Sequence, residues 1–168
     1  NFPFRLTKHY LYEGLVHKDH NVGVTASEVI VDTVTPDDWI EVSSLTGQVT
    51  SWRIQANLYE AALKAGANKD LAEEIQVRVK KETDVWQRAA LLGSLSHYPP
   101  AAGFVVSELR DANSPLLRST AARTLVRMNQ SGNFRVTLTQ SFVNLFGDLL
   151  RTEEDPAVLG SIAMALSD

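Results

Sequence analysis

A chain of 168 residues that is 44% hydrophobic can bury a core, either as one domain or as a piece of a longer array. Its 16 basic and 20 acidic side chains leave a formal net charge of −4, which weighs against a general nucleic-acid binder, since that needs a basic surface to displace counterions. Without cysteine there is neither a disulfide nor a thiolate metal site, and no apolar run approaches the roughly 20 residues of a membrane span.

The compartment stays open on this basis, with the cytoplasm favoured, and no membrane partner is expected. Starting at Asn1 rather than Met, the sequence reads as an excised domain or a processed chain. Residues 1–49 are predicted to form a less regular N-terminal layer. Residues 4–16 suit a helix with Leu6, Tyr10 and Leu11 on a stripe. Residues 22–34 are ambiguous: Thr25-Ala-Ser-Glu28 fits a capping box, whereas Val29, Ile30, Val31, Thr33 and Val34 are β-branched and suit a strand. The helical neighbours tip this segment towards a short helix. Thr35-Pro36-Asp37-Asp38 is a clearer start, with a hydroxyl cap, proline in the first turn and acids where the helix dipole favours them. The helix it opens carries Trp39, Ile40, Val42 and Leu45 and ends before Gly47.

Residues 50–168 read as one continuous helical array. Ser51 caps a helix to about Lys64 that carries Ile54, Leu58, Ala61 and Ala62, with Gly66 past its end. The next helix covers 69–81, with Leu71, Ile75 and Val79 on one face. Asp84 opens another, stopped near Tyr98 by Pro99-Pro100. A helix over about 100–110 follows, then one from Ser114-Pro115 to Met128, broken by Asn129 to Asn133. Two more are predicted, over 136–151 and from Asp155-Pro156 onward. The short links imply antiparallel neighbours. Trp39, Trp52 and Trp86 stand near helix starts, and at least two of them are expected in the core.

Three helices share one grammar. Asp84, Ser114 and Asp155 each open a helix with a small or apolar ladder: Leu91 and Leu95; Ala121, Ala122 and Leu125; Ile162, Ala163 and Leu166. The starts lie about 30 and then about 41 residues apart, a period that points to stacked helical hairpins. The fullest copy contains Leu109, Asp111, Ser114-Pro115, Leu117-Arg118, Ala121, Ala122 and Leu125. It resembles a HEAT-type repeat, specifically the bacterial HEAT-like repeats related to phycobilisome-lyase repeats. The copy at Asp84 keeps Arg88 but lacks the proline; the copy at Asp155 has Leu159 where the arginine belongs. The resemblance implies an all-α superhelix, a HEAT-like solenoid of antiparallel helical hairpins. It also implies that Arg88 and Arg118 are structural, bonding a turn aspartate of the type of Asp84 or Asp111, or backbone carbonyls.

Candidate chemistry is sparse. His17, Asp19 and His20, with His9 upstream, have metal-ligand character, but a site needs at least three placed ligands, and a solvated polar turn accounts for them. The acids Glu73-Glu74, Asp37-Asp38 and Glu153-Glu154-Asp155 are adjacent pairs that point apart on a helix or sit at helix starts. His97 reads as a helix-end histidine. No nucleophile elbow or phosphate loop occurs. Asn129-Gln-Ser131 matches a glycosylation acceptor. Arg78, Lys80 and Lys81, with Arg110, Arg118, Arg123 and Arg127, are interleaved with acids.

These features predict no enzyme, metal or cofactor, but a protein–protein interaction or scaffold module of a larger bacterial protein, binding a protein partner or another domain of its own chain. The alternatives are an accessory helical domain that positions an enzyme's substrate and a nucleic-acid-binding helical repeat. The expected partner surface lies on the second helices of the hairpins, at Glu73, Gln76, Lys80, Ser107, Gln140 and Asn144. Those positions are phased against Leu71, Ile75, Val79, Leu138, Phe142 and Leu149.

Overall fold

The computed structural model describes residues 4–66, 68–130 and 138–167. Ser131, Gly132, Asn133 and Val136, and the side chains of Leu138, Phe142 and Leu166, lie outside the described residues. Among the described residues the chain is helical and contains no strand. It divides into two compact units, Asn1–Glu73 and Glu74–Asp168. The division falls inside a helix, whereas the change in sequence pattern falls near residue 50.

The first unit holds α1 (Phe4–Leu15), α2 (His20–Thr33), α3 (Trp39–Leu45) and α4 (Trp52–Ala65). Asp19 caps α2, its carboxylate accepting from the Asn21 amide at 2.9 Å. The proposed capping box at Thr25 is therefore wrong: Thr25 and Glu28 lie inside a helix that begins five residues earlier. The β-branched run is helical despite its strand propensity, because burial of Ala26, Ser27 and Ile30 against α1 and α4 outweighs it. Thr35 and Asp38 close the turn before α3: the Thr35 amide and hydroxyl donate to Asp38 at 3.0 and 2.6 Å.

Phe4, Leu15, Ile30, Val42, Ile54, Leu58, Ala61 and Ala62 make the core of this unit, with Leu11 packed against it. The stripe assigned to α1 was out of phase. Leu6 and Tyr10 are 71% and 73% exposed, and the helix buries Phe4 and Leu15 instead. One close approach sets the α1–α2 crossing: a β-carbon on Gly14 would stand 2.8 Å from that of Ala26.

α5 (Lys69–Lys81) spans the division and buries Ala72, Ile75 and Val79. The second unit then runs through α6 (Val85–Ser94), α7 (Ala102–Asp111), α8 (Pro115–Gln130), α9 (Leu138–Thr152) and α10 (Pro156–Ser167). Pro99-Pro100 does interrupt the helix, through two short 3₁₀ turns at Leu95–His97 and Pro99–Ala101. α8 packs against α6, α7 and α10, and α9 packs against α10. The small ladders do this packing: Ala121, Ala122 and Leu125 of α8 are fully buried, as are Leu92 and Leu95 before it and Ile162 after it. Ala163 departs from the ladder and is exposed.

The expectation for tryptophan fails. Trp39 and Trp86 are 37% and 61% exposed and Trp52 is half-buried, its ring lying under the Arg53 guanidinium at 5.0 Å. None belongs to the core; Trp39 lies against Gly66 instead.

Candidate interaction surface

The two repeat arginines stand at the same place in their helices. The amides of Arg88 and Arg118 bond the carbonyls of Asp84 and Ser114, and Leu159 bonds Asp155 in the same way. All three are thus the fourth residue after a helix cap. Asp84 and Asp155 use their side chains as caps, each accepting from two first-turn amides.

Arg118 donates to both carboxylate oxygens of Glu153 at 2.7 and 2.8 Å and to the carbonyl of Ala112 at 3.0 Å. Glu153 also accepts from the amides of Glu154 and Asp155. The fork and these amides outweigh burial and hold the Glu153 carboxyl below the usual range. The same pairing pushes the Arg118 guanidinium up. Arg88 meets Glu108 through one bond of 2.7 Å, and its buried Nε has no partner. The carboxylates are therefore Glu108 and Glu153, not Asp84 or Asp111; Asp84 is a cap, and Asp111 is exposed at the end of α7. Asp111, Arg110, Arg118 and Glu153 line an open cleft of about 700 Å³, but its buried charges are spent on one another.

Of the expected partner residues, the structure brings one pair, Gln140 and Asn144, into contact. The Lys80 ammonium lies 5.6 Å from the Phe104 ring, while Ser107 donates to the backbone carbonyl of Phe104 at 2.7 Å, a bond within its own helix. Gln140 and Asn144 bond each other at 3.1 Å one turn apart on α9. Glu73 is exposed and pairs with Lys69 on the same helix, while Gln76 is half-buried. Next to Gln140 and Asn144, α9 exposes Val143, and further along Leu150, while its Leu145 and Phe146 are buried.

His17, Asp19 and His20 are exposed, and His17 Nδ1 accepts from the Asp19 amide at 3.0 Å. His17 and His20 line a groove of about 370 Å³ with Lys18 and Thr50. Among the described residues no set of three metal-ligating side chains converges. Glu73 and Glu74 are both exposed.

Sequence reasoning missed a polar network in the first unit. Arg5 reaches Asp37 at 3.3 Å and Asp38 at 3.4 Å, and Lys8 reaches both oxygens of Glu41 at 3.0 and 3.1 Å. The Tyr12 hydroxyl is sealed from solvent without a well-formed hydrogen bond and faces Glu41; burial first, and then Glu41, push its ionisation up. Tyr12 and Lys8 in turn hold the Glu41 carboxyl below its usual range against burial. Burial raises Asp38, but the Thr35 bonds and Arg5 outweigh it. Spacing held the signal: Arg5, Lys8 and Tyr12 share a face of α1, opposite acids spaced three apart at Asp38 and Glu41.

The chain matches no family model, no curated protein and no solved structure.

Proposed function

We propose that the chain is a non-catalytic protein–protein interaction module, built on an array of antiparallel helical hairpins of the HEAT type. The observation that carries the functional part is the outer face of α9. There Gln140 and Asn144 stand beside exposed Val143, and Leu150 is exposed further along the helix, a mixture of adaptable polar groups and apolar area that suits a protein partner. The array reading is supported by the shared caps at Asp84, Ser114 and Asp155 and by the packing of α8 on both α6 and α10. Nucleic-acid binding is disfavoured because the net charge is −4 and two arginines of the array, Arg88 and Arg118, are neutralised by Glu108 and Glu153.

A photoreactive residue placed at Asn144 should crosslink a protein in the cells that make this chain, and Lys80→Glu combined with Gln140→Lys should weaken that capture without lowering helix content. Crosslinks confined to a probe at Arg127, or salt-sensitive binding to a random duplex, would overturn the assignment.

A further inference from the structure

One end of the first unit carries a groove of about 370 Å³ between the α1–α2 link and the start of α4, a volume within the range of small-molecule sites. Leu15 and Ile54, both buried, form its floor. Close packing holds that floor in place. A β-carbon on Gly23 of α2 would stand 2.7 Å from Cδ1 of Ile54 and 3.3 Å from the Leu15 carbonyl oxygen, so only glycine lets α2 draw these two residues together. Behind the opposite wall, the Gln55 side-chain amide donates to the Thr46 carbonyl at 2.8 Å and ties α4 to the link that precedes it.

The rim of the groove is basic. His17, Lys18 and His20 line it with Thr50 and Ser51, and none of its ten lining residues is acidic, in a chain with 20 acidic side chains. Asp19, the acid of the link, accepts from the Asn21 amide and does not line the groove. His17 Nδ1 accepts from the Asp19 amide at 3.0 Å, which leaves Nε2–H as the donor of the neutral ring. Arg5, Lys8, Arg88 and Arg118 each pair with a carboxylate. Among the described residues Lys18 and His20 meet no acid, and the Thr50 and Ser51 hydroxyls make no hydrogen bond. Since Ser51 does not cap α4 through its side chain, the first-turn amides of that helix are left for another acceptor.

We propose that this groove binds the dianionic head of a small phosphomonoester, whose organic part lies on Leu15 and Ile54. Lys18 and the two histidines supply donors from one wall, and Thr50, Ser51 and the α4 amides supply them from the other. A phosphomonoester has three acceptor oxygens and a charge of about −1.5 to −2 at neutral pH, enough to engage both walls at once. A carboxylate has two oxygens and a single charge. A phosphodiester also carries a single charge and has two ester substituents, for which the groove offers one apolar floor. The site belongs to the first unit and is independent of the interaction surface on α9.

The test titrates the full chain with phenyl phosphate in about 0.15 M chloride, where loose ion pairing is screened, and reads heat and amide chemical shifts. Saturable binding is expected, with shifts confined to residues 15–20 and 48–54. Inorganic phosphate should bind at the same place but more weakly. Lys18→Ala and His20→Ala should each weaken binding about tenfold, as loss of one charge-assisted bond does. Both residues are exposed, so Tm should not move. Ser51→Asp places a carboxylate on the α4 amides and should abolish binding while Tm holds or rises. Lys81→Ala, at an exposed lysine of α5, should leave binding intact. The proposal is overturned by an absence of saturable binding, by shifts centred elsewhere, or by binding that survives Ser51→Asp. Equal affinity for inorganic phosphate or for diphenyl phosphate would overturn it as well.

Discussion

Arg88 and Arg118 occupy equivalent positions but are held by different numbers of bonds, and the difference can be measured. Arg118 uses both arms of its fork on Glu153 and bonds a backbone carbonyl besides, in a setting where Glu153 is only 8% exposed. Arg88 makes one bond to Glu108 and leaves its Nε unsatisfied. Charge-assisted bonds of this kind are worth about 1.5–3 kcal/mol. Arg118→Ala should cost at least that and lower the Tm of the second unit by roughly 4–8 °C per kcal/mol, and Arg88→Ala should cost less. Equal melting shifts would refute the ranking. The sequence spacing revealed where both arginines sit, since a fixed offset from a cap is local. Their partners were not legible, because Glu108 lies on the next helix and Glu153 in the link before α10, and no local pattern ties either to an arginine 20 or 35 residues away.

Among the helices, two glycines predict opposite outcomes for the same substitution. Gly14 sits where α1 crosses α2, with Ala26 filling the space a β-carbon would need. Gly14→Ala should therefore destabilise the chain by roughly 1–2 kcal/mol, since close-packed backbones yield little. Among the described residues nothing stands within 4 Å of a Gly160 β-carbon on α10, so Gly160→Ala should stabilise by about 0.5–1 kcal/mol through reduced chain entropy. Denaturant midpoints of the two variants check both signs. Helix starts such as Asp84 and Thr35 could be read from the sequence because capping chemistry is local. The phase of α1 could not. Phe4, Leu11 and Leu15 make one face and Leu6 and Tyr10 another, and only the position of α2 decides which is inward. The tryptophans were illegible for a related reason, since size alone does not say which side of a helix start faces the core.

Across the whole chain, depressed carboxyls occur in both compact units: Asp38 and Glu41 in the first, Glu153 in the second. A carboxyl held below its unfolded value contributes stability that is complete above that value, about 4.3 for glutamate, and is lost as pH falls through the lower folded value. Stability should thus be nearly flat from neutral pH to about 5 and fall steeply below about 4. Glu153→Gln should lower stability at pH 7 yet flatten the acid limb reported by second-unit amides. Hydrogen exchange followed against pH would show this, and an acid limb of unchanged steepness would refute it. The overall charge balance carries no hint of this distribution, since net charge says nothing about which carboxylates are buried.

The uneven exposure of the tryptophans has a practical optical consequence. Trp39 and Trp52 belong to the first unit and retain partial shielding, while Trp86, in the second, is already mostly in water. Intrinsic fluorescence should therefore report the melting of residues 4–66 and be nearly blind to the melting of 84–167. A fluorescence midpoint that differs from the one followed by circular dichroism would then mark two separate transitions rather than a folding intermediate. Replacing both Trp39 and Trp52 by phenylalanine should leave an emission maximum that starts near the solvent-exposed limit and hardly moves.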